Sequence, residues 1–175
     1  MKKSILTLLG LALLASVPAH AEFYASAGLG FSKSNGSVNT HDLKNSEIYN
    51  AAFGWQTPFW DVLRVEGEYL HNRASAKNAG KVTMDALMGN AYVSVPIMVP
   101  MITPYLGAGM GVSNLQDDKV FMYQGMLGVD AEIFVIPVIG SIEYRYLKAG
   151  KDVKDNHLRY KYDSHALMLK LRYEF

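Results

Sequence analysis

Cysteine is absent from the 175-residue chain, which excludes a disulfide framework, a cysteine-ligated zinc site and a thiol nucleophile. An excess of one charge is lacking too: 17 Lys and Arg face 16 Asp and Glu, for a formal net charge of +1. That balance gives no global attraction to nucleic acid. With half of its residues apolar and 11 tyrosines, the chain is also unlike a disordered one. Long hydrophobic runs are missing. Ile5–Val17 falls short of the roughly 20 residues of a spanning helix, and Val93–Ile102 is broken by Pro96 and Pro100. No transmembrane helix is expected, and no phosphate loop or dinucleotide fingerprint is present.

What is there begins with an export signal. Lys2 and Lys3 precede the apolar run, and Ala19-His20-Ala21 places small residues around a bulkier one, so residues 1–21 read as a cleaved secretory signal peptide of bacterial style. The remainder, residues 22–175, is expected to form one domain. Its destinations are the periplasm, the outer membrane or the medium.

In that remainder apolar residues alternate with small or polar ones over eight segments, approximately Phe23–Asn35, Ser46–Thr57, Val62–Arg73, Val82–Val95, Thr103–Leu115, Phe121–Phe134, Gly140–Ala149 and Leu158–Phe175. Strands of this length cross a bilayer when tilted, and an even number can close without leaving a sheet edge. The expected fold is all-β, an eight-stranded antiparallel up-and-down transmembrane β-barrel with a charged, side-chain-filled interior.

A soluble barrel also alternates, so the location of the charges decides. In the last segment Leu167, Leu169, Leu171, Tyr173 and Phe175 share one face, while Lys170, Arg172 and Glu174 share the other. The third sets Leu63, Val65 and Tyr69 against Arg64, Glu66 and Glu68. The apolar face is aromatic-rich on strand after strand, and the residues left over are too few for a second, internal apolar core. The charged face is therefore read as the interior.

The links agree. Pro58, Pro96, Pro100, Pro104 and Pro137 all fall at one rim, with both termini, and that rim is assigned to the periplasm. Charged links at 35–45, 74–81, 116–120 and 150–157 mark the other. Aromatics form two bands, with Phe23, Trp55, Phe59, Trp60, Phe134, Tyr173 and Phe175 near the periplasm and Phe31, Tyr49, Tyr69, Tyr146 and Tyr160 towards the outside.

Several stretches have a familiar pattern. Pro104-Tyr105-Leu106-Gly107-Ala108-Gly109-Met110-Gly111-Val112, preceded by Gly89-Asn90-Ala91-Tyr92 and followed by Glu143-Tyr144-Arg145-Tyr146 and a terminal Leu171-Arg172-Tyr173-Glu174-Phe175, resembles the opacity-protein-like family of small outer-membrane β-barrels. The resemblance implies an integral protein of the bacterial outer membrane. It implies that Leu167, Leu169, Leu171, Tyr173 and Phe175 form the signal read by the barrel-assembly machinery. The outer rim carries Arg73, Lys77, Lys81, Lys148, Lys151, Lys154, Arg159 and Lys161 among Asp117, Asp118, Asp152, Asp155 and Asp163, which reads either as a solvated charged rim or as a contact for lipopolysaccharide phosphates or a host or surface ligand; outer-membrane lipid is the other partner expected.

Ten inward side chains, Arg64, Glu66, Glu68, Asp130, Glu132, Glu143, Arg145, Lys170, Arg172 and Glu174, put six acids and four bases into a bore barely wide enough for side chains. Glu66 and Glu68 could be an acid–base pair, but with bases opposite, an ion-pair network is the better reading, with the surplus acids near a rim, hydrated or protonated. Gly28, Gly30, Gly107, Gly109 and Gly111 would leave room for long charged neighbours. The histidines lack metal spacing, and Ser164 and His165 point to opposite faces. The expectation is a monomeric, non-enzymatic, plugged barrel with an adhesion-like surface role and no cofactor, metal or nucleic-acid partner. Alternatives are a lipid A-modifying enzyme using His165 at the lipid-facing outer rim, a small-solute channel, or a soluble periplasmic ligand-binding barrel.

Overall fold

The computed structural model describes residues 22–34, 37–38, 41–42, 46–57, 62–76, 80–97, 99–115, 118–133, 137–150, 153–155, 158–160 and 163–175. The expected signal peptide lies outside the described residues. Eight strands form the wall: β1 (Glu22–Ser34), β2 (Ser46–Gln56), β3 (Leu63–Ala76), β4 (Gly80–Ser94), β5 (Ile102–Leu115), β6 (Asp118–Ile133), β7 (Val138–Ala149) and β8 (Asp163–Glu174). Each pairs antiparallel with its sequence neighbours, and β1 pairs with β8 from Tyr24↔Glu174 to Ser34↔Ser164, closing the barrel. A closed ladder is what a bilayer demands, because lipid offers the backbone no hydrogen-bonding partner.

Strand alternation sorts side chains as expected. Along β2, residues from Ser46 to Gly54 alternate between buried and exposed, and β8 does the same from Ala166 to Arg172. The outward set is apolar, led by Phe31 at 69% exposure, with Leu87, Met110, Leu169 and Leu171 also exposed. Phe23, Trp55, Tyr173 and Phe175 ring its periplasmic end, while Phe31, Tyr49 and Tyr69 lie towards the outer end. Phe59, Trp60, Phe134 and Tyr160, expected in these bands, have side chains outside the described residues.

Two expectations need correction. The last segment does not run unbroken from Leu158: β8 starts at Asp163, and Leu158–Tyr160 pairs with Val153–Asp155 in a small ribbon. Local pairing satisfies that backbone before the wall register begins at Asp163↔Lys148. The second correction concerns the bore. An internal apolar cluster does exist in its outer half, made of Ile48, Leu70, Met84, Ala86, Met88, Met122, Leu147, Ala166 and Met168. Among the described residues the buried charges lie in the periplasmic half.

The glycines account for the fit of the charged half. Tyr24, Tyr92 and Tyr105 lie across Gly54, Gly107 and Gly128, each directly opposite on the adjoining strand, and a Cβ at any of these would collide with the ring. Close approach of this kind is a reason for glycine inside a strand. Their neighbours are mainly tyrosine and asparagine rather than long charged chains; Gly28, beside Lys170, is the charged case, while Gly30 and Gly111 meet backbone carbonyls. Gly67 faces open space. Gly107→Val is therefore expected to reduce the fraction of folded barrel, read as the band whose gel mobility changes on boiling, whereas Gly67→Val leaves that fraction unchanged.

Candidate functional site in the barrel interior

Strand parity sends one set of side chains from all eight strands into a single bore, so residues far apart in sequence meet across it. Glu68 on β3 is surrounded by four donors. Arg145 Nη1 lies 2.7 Å from it, Asn50 Nδ2 2.6 Å, Asn90 Nδ2 2.7 Å and Gln124 Nε2 2.9 Å. Arg145 also donates from Nη2 to Glu143 at 2.6 Å, and Glu143 accepts from Tyr105 at 3.0 Å and Lys170 at 3.3 Å. Glu66 accepts from the hydroxyls of Tyr92 at 2.7 Å and Tyr24 at 3.1 Å. Neither Glu66 nor Glu68 has the geometry of a free acid–base pair, since both are saturated with donors.

A second knot lies nearer the periplasm. Asp130 accepts from Arg64 at 2.6 Å, Arg172 at 3.0 Å and Ser141 at 2.6 Å. The Arg64 guanidinium sits over the rings of Tyr105 and Tyr92, 4.9 and 5.3 Å from their centroids, and so links the two knots. Cation–aromatic contact of a desolvated guanidinium is worth about 2 kcal/mol. Between the knots the remaining cavity is about 10 Å³, the space of about one water.

Of the ten charged residues singled out from the sequence, eight are buried together in these knots: Arg64, Glu66, Glu68, Asp130, Glu143, Arg145, Lys170 and Arg172. Glu174 is half-exposed and pairs with Arg172 at 3.1 Å. Glu132 does not join the network; it has the inward parity but lies at the strand's periplasmic end, exposed. The surplus acids of the sequence count thus stand at the rim. Asn50, Tyr105 and Ser141 belong to the network without having been singled out for it; their parity was the available signal. Leu167, Leu169, Leu171, Tyr173 and Phe175 all face outward and exposed.

Two histidines stand on the outer wall. His165 Nδ1 is 2.6 Å from the Tyr144 hydroxyl, while the neighbouring Ser164 is fully buried in the bore, so the two do not meet. His71 Nδ1 is 2.8 Å from Asp85, which also accepts from Tyr69 at 2.5 Å. Among the described residues no group of three or more His, Asp and Glu is placed to hold a metal.

An apolar outer wall and a bore of eight strands whose buried charges are ion-paired define a small integral outer-membrane barrel. The chain belongs to the outer membrane protein beta-barrel domain family, whose model matches residues 4–175. It is similar in structure to Neisserial surface protein A, at 19% identity and a TM-score of 0.72 over 89% of this chain and 99% of that one. It is also similar to OprG of Pseudomonas aeruginosa, at 14% identity and 0.54 over 89% and 96%. A third is the attachment invasion locus protein Ail of Yersinia pestis in complex with the heparin analogue sucrose octasulfate, at 15% identity and 0.51 over 88% and 99%. At these identities the likeness is one of fold. A search of curated proteins finds no match.

Truncating Arg145 leaves Glu68 and Glu143 without their shared base. Arg145→Ala is expected to cost about 3–5 kcal/mol of stability, because uncompensated buried charge is that expensive. Tyr105→Phe removes one hydrogen bond to the Glu143 carboxylate and is expected to cost about 1.5–3 kcal/mol. Urea unfolding from phospholipid vesicles measures both.

Proposed function

We propose that this protein is a sealed, non-catalytic barrel of the outer membrane that acts at its outer rim, as an anchor for surface contact. The observation that carries the reading is the filled bore: between the two knots of its charged half the cavity is about 10 Å³, and its outer half is packed with side chains such as Ile48, Leu70, Leu147 and Met168 that are 0% exposed. Such a bore is no route for solutes. The outward His165 supports no acyl transfer either, because its polar neighbour is Tyr144 and the adjacent serine faces the other way.

The rim offers Lys33, Arg73, Lys119 and Lys148, with Glu47 and Asp163 interspersed. Charges there lie at headgroup level, where they can meet the phosphates of lipopolysaccharide or an anionic surface. The sulfated ligand held by the similarly folded Ail barrel supports the second of these. We further assign Leu167, Leu169, Leu171, Tyr173 and Phe175 to the segment read by the assembly machinery, and take the barrel to work as a monomer.

In planar bilayers the folded protein is expected to show no stable conductance on the nanosiemens scale; reproducible openings of that size would refute the sealed bore. Cells carrying it are expected to bind immobilised heparin more than cells lacking it, and less so as salt rises. Deleting Phe175 is expected to lower the folded yield in the membrane, with Lys170→Gln leaving targeting intact. His165→Ala is expected to leave the lipid A mass spectrum unchanged.

A further inference from the structure

The periplasmic mouth holds two features that the sealed bore does not use. The first is an apolar wall. Between Asp85 and Asp117 the sequence has no charged residue, and within that span Pro96, Ile97 and Val99 of the β4–β5 link and Ile102 at the start of β5 line a cavity of about 460 Å³. Ile97 is 43% and Val99 50% exposed. Exposed apolar side chains grouped around a cavity mark a contact surface. The link is held in shape: Met101 adopts a left-handed φ of 71°, its carbonyl accepts from the Glu132 N–H at 3.1 Å, and the Val95 N–H donates to Pro104 at 2.8 Å.

The second feature is negative charge in the same lining, with Glu132 beside the link and Glu174 on β8. Asp130, Glu132 and Glu174 line the same cavity, and the bases nearest them are Arg64 and Arg172. Asp130 takes both of these, and Glu174 shares Arg172 with it. The Glu132 carboxylate pairs with no base among the described residues. The floor is closed by the Arg172–Asp130–Arg64 knot, so whatever enters from the periplasm stops there.

We propose that this mouth is a dead-end binding site for a small amphiphilic cation, an ammonium or guanidinium carried on a compact apolar body. The apolar wall takes the body, and the cationic head lies against Glu132 and Glu174. An anion would meet both carboxylates, while the guanidinium of Arg172 is already engaged. The volume is that of a small-molecule pocket with a few convergent polar groups, too small for a folded partner.

The test uses the protein in phosphatidylcholine nanodiscs with isotope-labelled isoleucine methyl groups, titrated with phenethylammonium. Saturable shifts are expected at Ile97, Ile102 and Ile139, which line the cavity, and none at Ile142 on the lipid face or Ile48 in the bore. Glu132→Gln, at an exposed position, is expected to weaken binding about fivefold, the upper range for one exposed charge pair. Phenethyl alcohol should bind weakly and indifferently to that substitution, and phenylacetate not at all. Tighter saturation of the same methyls by the peptide Ac-Leu-Lys-Leu-NH2 would assign the cation to a polypeptide side chain, and tighter saturation by the amine to a free amine. Equal shifts with the alcohol or phenylacetate, parallel shifts at Ile142, or no effect of Glu132→Gln would overturn the proposal.

Discussion

Arg145 is entirely buried in the middle of the bore, where a lone cation would cost several kcal/mol. It is tolerable because Glu68 lies across the lumen at 2.7 Å and Glu143 on its own strand at 2.6 Å. Those two acids are in turn tolerable only with Asn50, Asn90, Gln124, Tyr105 and Lys170 around them. The requirement that every buried charge be answered thus recruits β2 to β8. Wall hydrogen bonds join each strand to its neighbours, whereas this knot joins strands that are not neighbours and so fixes the shape of the cross-section.

The bore is divided by height. Towards the periplasm it is ionic and aromatic, with tyrosines lying over glycines; towards the outside it is aliphatic and rich in methionine. The two halves exclude water by different means. Ionic partners close their half through directional bonds of fixed length, and methionine fills irregular gaps with little demand on geometry. The aliphatic layer also keeps outside water from competing for the donors to Glu68.

Period-two alternation made the faces legible. It assigned Glu66, Glu68, Glu143, Arg145 and Lys170 to the interior and Leu167, Leu169 and Leu171 to the exterior. It was silent on height and on partners. Glu132 has inward parity but sits beyond the last turn of the bore, because parity reports a face and not a depth. The aliphatic plug was missed for a related reason: in a barrel the inward face is buried by the opposite wall and the outward face by lipid, so Ile48, Leu70 or Met84 at an inward position breaks no pattern. Glu68 and Arg145 are 77 residues apart, and only closure of the barrel brings them together.

That closure has a consequence for the order of events. The strand that seals the wall, β8, is the last to be synthesised, and it pairs along one edge with the first, from Tyr24↔Glu174 onward. Neither edge of the growing sheet can be covered until all eight strands are present. Loop-closure entropy is then paid over nearly the full length of the domain, the arrangement that makes folding slow and leaves unpaired edges open to wrong partners. A meander of local hairpins can form early, but the native state is reached in one late, long-range step, and the time before it is when this chain most needs protection.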